Sequence, residues 1–247
     1  MPETIDEAPK AINPLETRAW TDIHSSASSY SSYLSAGLLL REQIKGIRII
    51  DIGAGASDFT EEVLQRGADA YAIDPRYTSL DNLESDIMNF SLNKDQNPNL
   101  SRLTDDALRQ LVEQSSETLE KFKVGFSENP TRYLPKSATE LPFSDSFADL
   151  IVSNNCLTQL ARNQYHLYIK AVRECIRVLK TNGKLRTDGN LPIEPDFIAK
   201  VRTDLSNYAK FDLLGVDTPV IEITKLSNTA AVQRKSNILR QLLRKTS

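Results

Sequence analysis

The stretch Ile47-Arg48-Ile49-Ile50-Asp51-Ile52-Gly53-Ala54-Gly55-Ala56-Ser57 decides the fold of this 247-residue chain. Residues 47–52 form a short apolar run rich in β-branched side chains, which is typical of a central parallel strand buried on both faces. The alternating glycines that follow predict a tight turn where a ligand can approach bare backbone. A helix after the turn and a second apolar strand over 70–73 complete a predicted right-handed βαβ unit.

An acidic residue at the end of the second predicted strand adds a ligand-binding signal. Asp74 follows the glycine turn by about twenty residues, the spacing at which a carboxylate can hold the two hydroxyls of a ribose. The turn and the acid together predict a site for a nucleoside-type cofactor. The alternative interpretation of Asp74 is a cap at the strand end before Pro75.

The rest of the chain alternates predicted strands with predicted helices. The further strands are expected at 148–153, 184–187, 210–214 and 219–224, and the helices between them at 165–179 and 196–208. This alternation predicts an α/β fold, a Rossmann-like three-layer sandwich, and we expect a mostly parallel seven-stranded sheet with one strand more than the six placed here.

Three segments are expected besides the main domain of residues 46–225. Residues 1–45 are interpreted as a lead followed by lid helices, and residues 226–247 as a basic C-terminal helix. Within the main domain, the polar region of about 78–132 is longer than a crossover requires and predicts a helical insertion after the second strand. The insertion forms a lid at the mouth of the site or, alternatively, packs on the edge of the sheet.

Composition narrows the classes of partner. A net charge of −3 creates no field that attracts a polyanion, so nucleic acid is not expected as a partner. No segment approaches the roughly 20 apolar residues that cross a bilayer, and no signal peptide is recognised. Cys156 and Cys175 show no metal-binding spacing and are expected to be buried and reduced, so we predict a cytoplasmic protein with no metal site.

The spacing D-x-G-x-G-x-S over Asp51 to Ser57 resembles motif I of the class I S-adenosylmethionine-dependent methyltransferases. Ser57 replaces the third glycine of that motif. The resemblance implies that Asp51 contacts the methionine end of the cofactor, often through water. It also implies that the backbone of Gly53, Ala54 and Gly55 lies beneath the cofactor.

Two later segments carry the same resemblance. The stretch 137–151 resembles the family's D-A-x-x-L-P-F-x-D-x-S-F-D-x-V, with Ser137 where an aspartate often grips the adenine, and 171–185 resembles its L-x-E-x-x-R-V-L-K-P-G-G segment. Asn154 occupies the position that borders the methyl group. The cofactor-binding residues implied by the resemblance are Asp51, Gly53, Ala54, Gly55, Asp74, Pro75, Ser137, Ala138 and Asn154.

The resemblance implies methyl transfer from S-adenosylmethionine, and we expect a small-molecule acceptor. The fourth strand is followed by Ser153-Asn154-Asn155-Cys156 rather than an N-P-P-Y-like motif, which argues against amino methylation of nucleobases. His24 and His166 are weak candidates for a general base, because proximity to the cofactor can suffice for transfer.

Two other functions remain open from the sequence. A cofactor-binding scaffold or regulatory subunit without catalysis is one alternative, because Ser137 departs from the motif and no catalytic residue stands out. In that case the basic C-terminal helix would contact a protein partner or a second copy, unless it is a solvated surface helix. The other alternative is a nicotinamide-dependent oxidoreductase, although Asp58 would stand at the helix start and repel a pyrophosphate.

Overall fold

The structure is a computed structural model and describes residues 28–39, 44–81, 83–85, 104–188, 195–214 and 220–227. The predicted leading residues and nearly all of the predicted C-terminal helix, 228–247, lie outside the described residues. Within the described parts, no helix is both long enough and apolar enough to cross a membrane.

Seven strands form one sheet in the order β3-β2-β1-β4-β5-β7-β6. All neighbouring pairs from β3 to β5 are parallel, and β7 runs antiparallel to both β5 and β6. The prediction of a mostly parallel seven-stranded sheet is confirmed. The strands are β1 Arg48–Ile52, β2 Asp69–Ile73, β3 Tyr133–Leu134, β4 Ala148–Ser153, β5 Leu179–Asp188, β6 Ala209–Leu214 and β7 Val220–Lys225.

Helices cover both faces of the sheet, as a three-layer sandwich requires. On β1, Ile49 packs in a cluster with the first two helices, whereas Ile50 packs in a second cluster with the helices that follow β4. Successive side chains of a strand point to opposite faces, so both faces of β1 are buried. The helices are α1 Tyr30–Ser35, α2 Phe59–Gln65, α3 Asp105–Glu128, α4 Cys156–Asn163, α5 Tyr165–Val178 and α6 Pro195–Leu205.

Most of the described part of the predicted insertion is one long helix. α3 connects β2 to β3 and contributes Leu119 and Phe122 to a cluster with Tyr77 and Tyr133. Its N-terminus is capped by Thr104, whose side chain accepts a hydrogen bond from the backbone of the first turn. α3 therefore has the position of the crossover helix between two parallel strands.

One strand boundary differs from the sequence-based expectation. β5 begins at Leu179, five residues before the predicted strand, and includes Asn182 in a left-handed conformation. At the start of α2, the Asp58 side chain accepts no hydrogen bond from the helix, whereas the Ser57 hydroxyl accepts one from the Phe59 amide. The carboxylate of Asp58 is engaged elsewhere, by the backbone of α1.

Candidate cofactor site

The carboxyl edge of the parallel strands brings the predicted site together. Ile52 is in register with Ile73, so Gly53 and Asp74 leave neighbouring strands at the same level. Ser153 is in register with Thr187, which places Asn154 beside the end of β5. In open α/β sheets this edge is where ligands bind.

The glycine turn has the backbone geometry that the sequence predicts. Gly53 and Gly55 have φ of +67° and +58°, a backbone conformation that residues other than glycine rarely adopt. The amide of Gly53 donates a hydrogen bond to the carbonyl of Ile73 at 2.7 Å. The space beside Gly53 is filled by Cys156 of α4, since a Cβ there would lie 2.4 Å from the cysteine sulfur. At Gly53, the missing side chain therefore makes room for a helix of the protein.

Asp51 is buried with one carboxylate oxygen held and the other without a partner. The hydroxyl of Tyr33 on α1 donates to Oδ2 of Asp51 at 2.6 Å. Among the described residues, nothing hydrogen-bonds to Oδ1. Burial raises the pKa of Asp51 to about 7, while the hydrogen bond from Tyr33 lowers it and the nearby Asp74 raises it. A buried carboxylate oxygen without a partner is costly, and a cationic or hydrogen-bonding ligand group at this atom would offset that cost.

Asp74 is fully buried and accepts four hydrogen bonds. Its Oδ1 accepts from the Arg76 amide at 3.0 Å and from Arg76 Nε at 2.9 Å. Its Oδ2 accepts from the Gly55 amide at 3.1 Å and from Arg76 Nη2 at 2.9 Å. Asp74 thus caps the 3₁₀ turn that starts at Pro75, as one interpretation proposed, and it also holds the glycine turn. Tyr77 closes the same corner by donating its hydroxyl to the Gly55 carbonyl at 2.7 Å.

The segment predicted to face adenine is ordered by its own side chains. Ser137 is buried, shares a hydrogen bond of 2.8 Å with the hydroxyl of Thr139, and accepts from the Thr139 amide at 3.1 Å. Ala138 is buried beside it. Glu174 and Arg177 of α5 hold this segment from behind, since Glu174 accepts from the Leu141 amide at 2.9 Å and bonds Arg177. Both residues therefore support this segment through side-chain contacts with its backbone.

The N-terminal helix α1 lies against the glycine turn. Its first amide, of Tyr30, donates to the Asp58 carboxylate at 2.6 Å, and Ser57 donates its hydroxyl to the Ser28 carbonyl at 2.6 Å. Asn154 reaches the same helix from β4, with its side-chain amide 3.3 Å from the Ser28 hydroxyl. Together with the bond from Tyr33 to Asp51, these contacts close α1 over the carboxyl edge of β1 and β4. Tyr33 also stacks on Phe59, with 4.2 Å between the ring centroids. The same side chain therefore packs in the core and contacts the predicted site.

Of the two candidate bases, His166 alone belongs to the described residues. His166 is exposed in the first turn of α5, and the structure gives it no contact with a residue of the predicted site. His24 lies outside the described residues. A catalytic role for either histidine stays a prediction.

Asp188, at the end of β5, is a buried acid at the same edge of the sheet that the sequence did not indicate. Its Oδ1 accepts from the Asn155 amide at 2.9 Å and from the Thr158 hydroxyl at 2.6 Å, and so it fixes the start of α4. Its Oδ2 is buried and has no partner in the described part of the chain. The available signal was its place one residue after a predicted strand, the same logic that singled out Asp74.

The fold and the site together define a class of protein. The strand order follows the doubly wound order 3-2-1-4-5 and continues with an antiparallel pair, and the glycine turn and Asp74 lie at its ligand-binding edge. A family model described as "Methyltransferase domain" matches residues 100–187. The match starts after the glycine turn, so the turn and the match are separate observations. The match shows a methyltransferase domain, and the glycine turn and Asp74 are the features that predict S-adenosylmethionine as its cofactor.

Solved structures with a similar shape include enzymes with different substrates. The 1,6-didemethyltoxoflavin-N1-methyltransferase of Burkholderia thailandensis is 14% identical, with 90% of this chain and 94% of that chain covered and a TM-score of 0.46. The magnesium protoporphyrin IX methyltransferase of Synechocystis PCC 6803 is 11% identical, with 88% and 86% covered and a TM-score of 0.44. An rRNA methylase of Streptococcus thermophilus is 12% identical, with 78% and 95% covered and a TM-score of 0.42. A search of curated protein sequences found no match.

The residues at the carboxyl edge of the sheet fit the methionine end of S-adenosylmethionine and its ribose differently. The unpartnered Oδ1 of Asp51 suits the ammonium group of the methionine moiety. The carboxylate of Asp74 suits a ribose by its position, but its oxygens are engaged by Arg76. Bound there, S-adenosylmethionine supplies a methyl group on a sulfonium, which is an activated electrophile.

Proposed function

We propose that this protein transfers a methyl group from S-adenosylmethionine to a small-molecule acceptor. The observation that carries the acceptor class is the enclosure of the carboxyl edge by α1, through contacts from Tyr33 to Asp51, from Tyr30 to Asp58 and from Asn154 to Ser28. An enclosed site suits a small molecule that is surrounded on binding. The net charge of −3 further disfavours a polyanionic acceptor.

The proposed roles of the residues follow from their positions. The residues proposed to hold the cofactor are Asp51, Gly53, Ala54, Gly55, Asp74, Pro75, Ser137, Ala138 and Asn154. Asp51 would receive the ammonium group and Asp74 the ribose hydroxyls. Asn154, half-buried at the end of β4, would border the transferred methyl group. The polypeptide then orients the acceptor and excludes water, and transfer needs no dedicated base.

Calorimetry with S-adenosylhomocysteine tests the cofactor assignment. We expect binding to the full chain, and the change Asp74→Ala should weaken it by about 1 to 3 kcal/mol, since the ribose contacts are lost. Asp69→Ala is the matched control, because Asp69 is a carboxylate on the same strand that pairs with Arg48 and Arg132 at the opposite end. Wild-type affinity in Asp74→Ala would reject its role. Binding of a nicotinamide dinucleotide instead would reject the family function.

Transfer of an isotope-labelled methyl group tests the acceptor class. The enzyme and labelled S-adenosylmethionine are incubated with the small-molecule, RNA and protein fractions of a cell extract. We expect the label in the small-molecule fraction. Label confined to RNA or protein would contradict the acceptor class, and cofactor binding without transfer to any fraction would favour the alternative of a catalytically inactive scaffold.

A further inference from the structure

We propose that Arg76 is an internal competitor for the cofactor: its guanidinium occupies the two positions on Asp74 that a ribose diol would take. The proposal rests on the proposed function, because it concerns the same carboxylate. Arg76 follows Asp74 by two residues, across the turn that Pro75 starts. Cofactor affinity is then set by how readily this side chain leaves its own aspartate.

The capacity of the carboxylate carries the argument. An ionised carboxylate offers about four lone-pair positions on its two oxygens. Four donors already reach Asp74, namely the amides of Gly55 and Arg76 and the two guanidinium nitrogens Nε and Nη2 of Arg76. A diol cannot add to this set, so its two hydroxyls must replace two donors.

The two kinds of donor differ in how easily they are replaced. The amides belong to the glycine turn and to the 3₁₀ turn, and giving them up would distort both. The guanidinium nitrogens belong to a side chain that is 23% exposed and can move into solvent, whereas the Asp74 side chain is 1% exposed. When the guanidinium leaves, the two amides still hold the carboxylate in place.

The vacated positions match the ligand. Nε of Arg76 contacts Oδ1 at 2.9 Å and Nη2 contacts Oδ2 at 2.9 Å, so one position opens on each oxygen of Asp74. A ribose presents two adjacent hydroxyls, which can donate one hydrogen bond to each oxygen. The fork of the guanidinium therefore resembles the diol in its number of donors and in placing one donor on each oxygen.

The effect of Arg76 on cofactor affinity depends on the fraction of time for which its guanidinium contacts Asp74. If Arg76 covers Asp74 about nine-tenths of the time, the apparent dissociation constant is about tenfold above the intrinsic one. Arg76→Met removes the charge and keeps much of the chain length. Arg76→Lys keeps the charge, but an ammonium cannot bridge both oxygens as a planar fork does.

Calorimetric titration of the full chain with S-adenosylhomocysteine tests the proposal. We expect Arg76→Met to lower the dissociation constant by about tenfold and Arg76→Lys to lower it less. Arg132→Met is the control, because Arg132 pairs with Asp69 at the opposite end of β2 and should leave affinity unchanged. Thermal unfolding gives a second measurement. Arg76→Met should lower the melting temperature without ligand and increase the rise that S-adenosylhomocysteine causes.

Each outcome decides the question. Tighter binding in Arg76→Met, or binding in this variant alone, supports the competitor. Equal or weaker binding than in the wild type overturns it and leaves the proposed function intact. If neither protein binds S-adenosylhomocysteine while both are folded, the proposed function fails and the competitor fails with it.

Discussion

Replacing Gly53 by alanine probes the contact between the glycine turn and α4. A Cβ at this position would lie 2.2 Å from the Cβ of Cys156 and 2.4 Å from its sulfur. Cys156 is the first residue of α4, so its Cβ is fixed to the helix backbone and cannot rotate away. The start of the helix would have to shift.

Two contributions add in this variant. Gly53 has φ of +67°, and a side chain in the left-handed region costs about 1 to 2 kcal/mol. Overpacking of a well-filled interior costs about 1 to 3 kcal/mol more. Gly53→Ala should therefore lower the free energy of unfolding by about 2 to 5 kcal/mol, a large part of the roughly 5 to 15 kcal/mol that stabilises a typical domain.

Urea unfolding followed by circular dichroism measures the loss, and Gly46 provides the matched control. Gly46 has φ of +79°, but nothing lies within 4 Å of a Cβ built on it. Gly46→Ala therefore reports the conformational cost alone. The difference between the two variants should be about 1 to 3 kcal/mol and measures the packing against Cys156.

A double-mutant cycle with Cys156→Gly shows whether that contact is responsible. Removing both atoms of the cysteine side chain leaves only its Cα, 3.7 Å from the added Cβ, which is an ordinary contact. The packing cost should then disappear from Gly53→Ala. Equal losses in Gly53→Ala and Gly46→Ala, or a coupling below about 0.5 kcal/mol, would refute the reasoning.

Two other predictions concern the buried acid Asp51 and the long helix α3. The folded pKa of Asp51, about 7, lies above its ordinary value of 3.8, so between these values the folded state keeps a proton that the unfolded state has released. Compared with Asp51→Asn, the free energy of unfolding of the wild type should fall as the pH rises through this window, which urea unfolding at a series of pH values measures. Tyr33→Phe removes a hydrogen bond that lowers the Asp51 pKa, so a carboxyl NMR titration should show a higher pKa in this variant. An unchanged or lower Asp51 pKa would contradict the role of Tyr33. Gly125→Ala should lower the free energy of unfolding by about 1 kcal/mol despite its better helix propensity, because a Cβ 2.1 Å from Cγ of Glu61 would displace that side chain from its hydrogen bonds with Asn129 and Tyr133. Thermal unfolding checks this, and adding Glu61→Ala should restore part of the loss.

The strands of the sheet could be predicted because their signal is local. β1 and β4 are continuous apolar runs, and the structure gives them at 48–52 and 148–153, within a residue of the prediction. β3 was not placed, because its two residues, Tyr133 and Leu134, carry no periodicity of their own. It exists because it can pair with β2, which is a long-range condition.

The site was predictable in its backbone and less so in its side chains. The glycine spacing placed the turn and Asp74 correctly at the carboxyl edge, since parallel strands end at one level. The contact of Arg76 with Asp74 depends on a side-chain conformation after a proline-started turn, which residue spacing alone does not determine. Tyr33 stacks on Phe59 and donates a hydrogen bond to Asp51, two contacts that depend on how α1 packs on the turn and that residue spacing does not determine.

The attachment of α1 has a consequence for how the protein is made. Tyr30 bonds a residue 28 positions later, whereas Ser28 is joined to Asn154 across 126 positions. At synthesis rates of about 5 to 20 residues per second, the N-terminal helix waits roughly 6 to 25 s before that partner has been made. The contact of this segment with β4 is thus completed late in biosynthesis, whereas the contacts of α1 with Asp51 and Asp58 join residues that are made within a few seconds of one another.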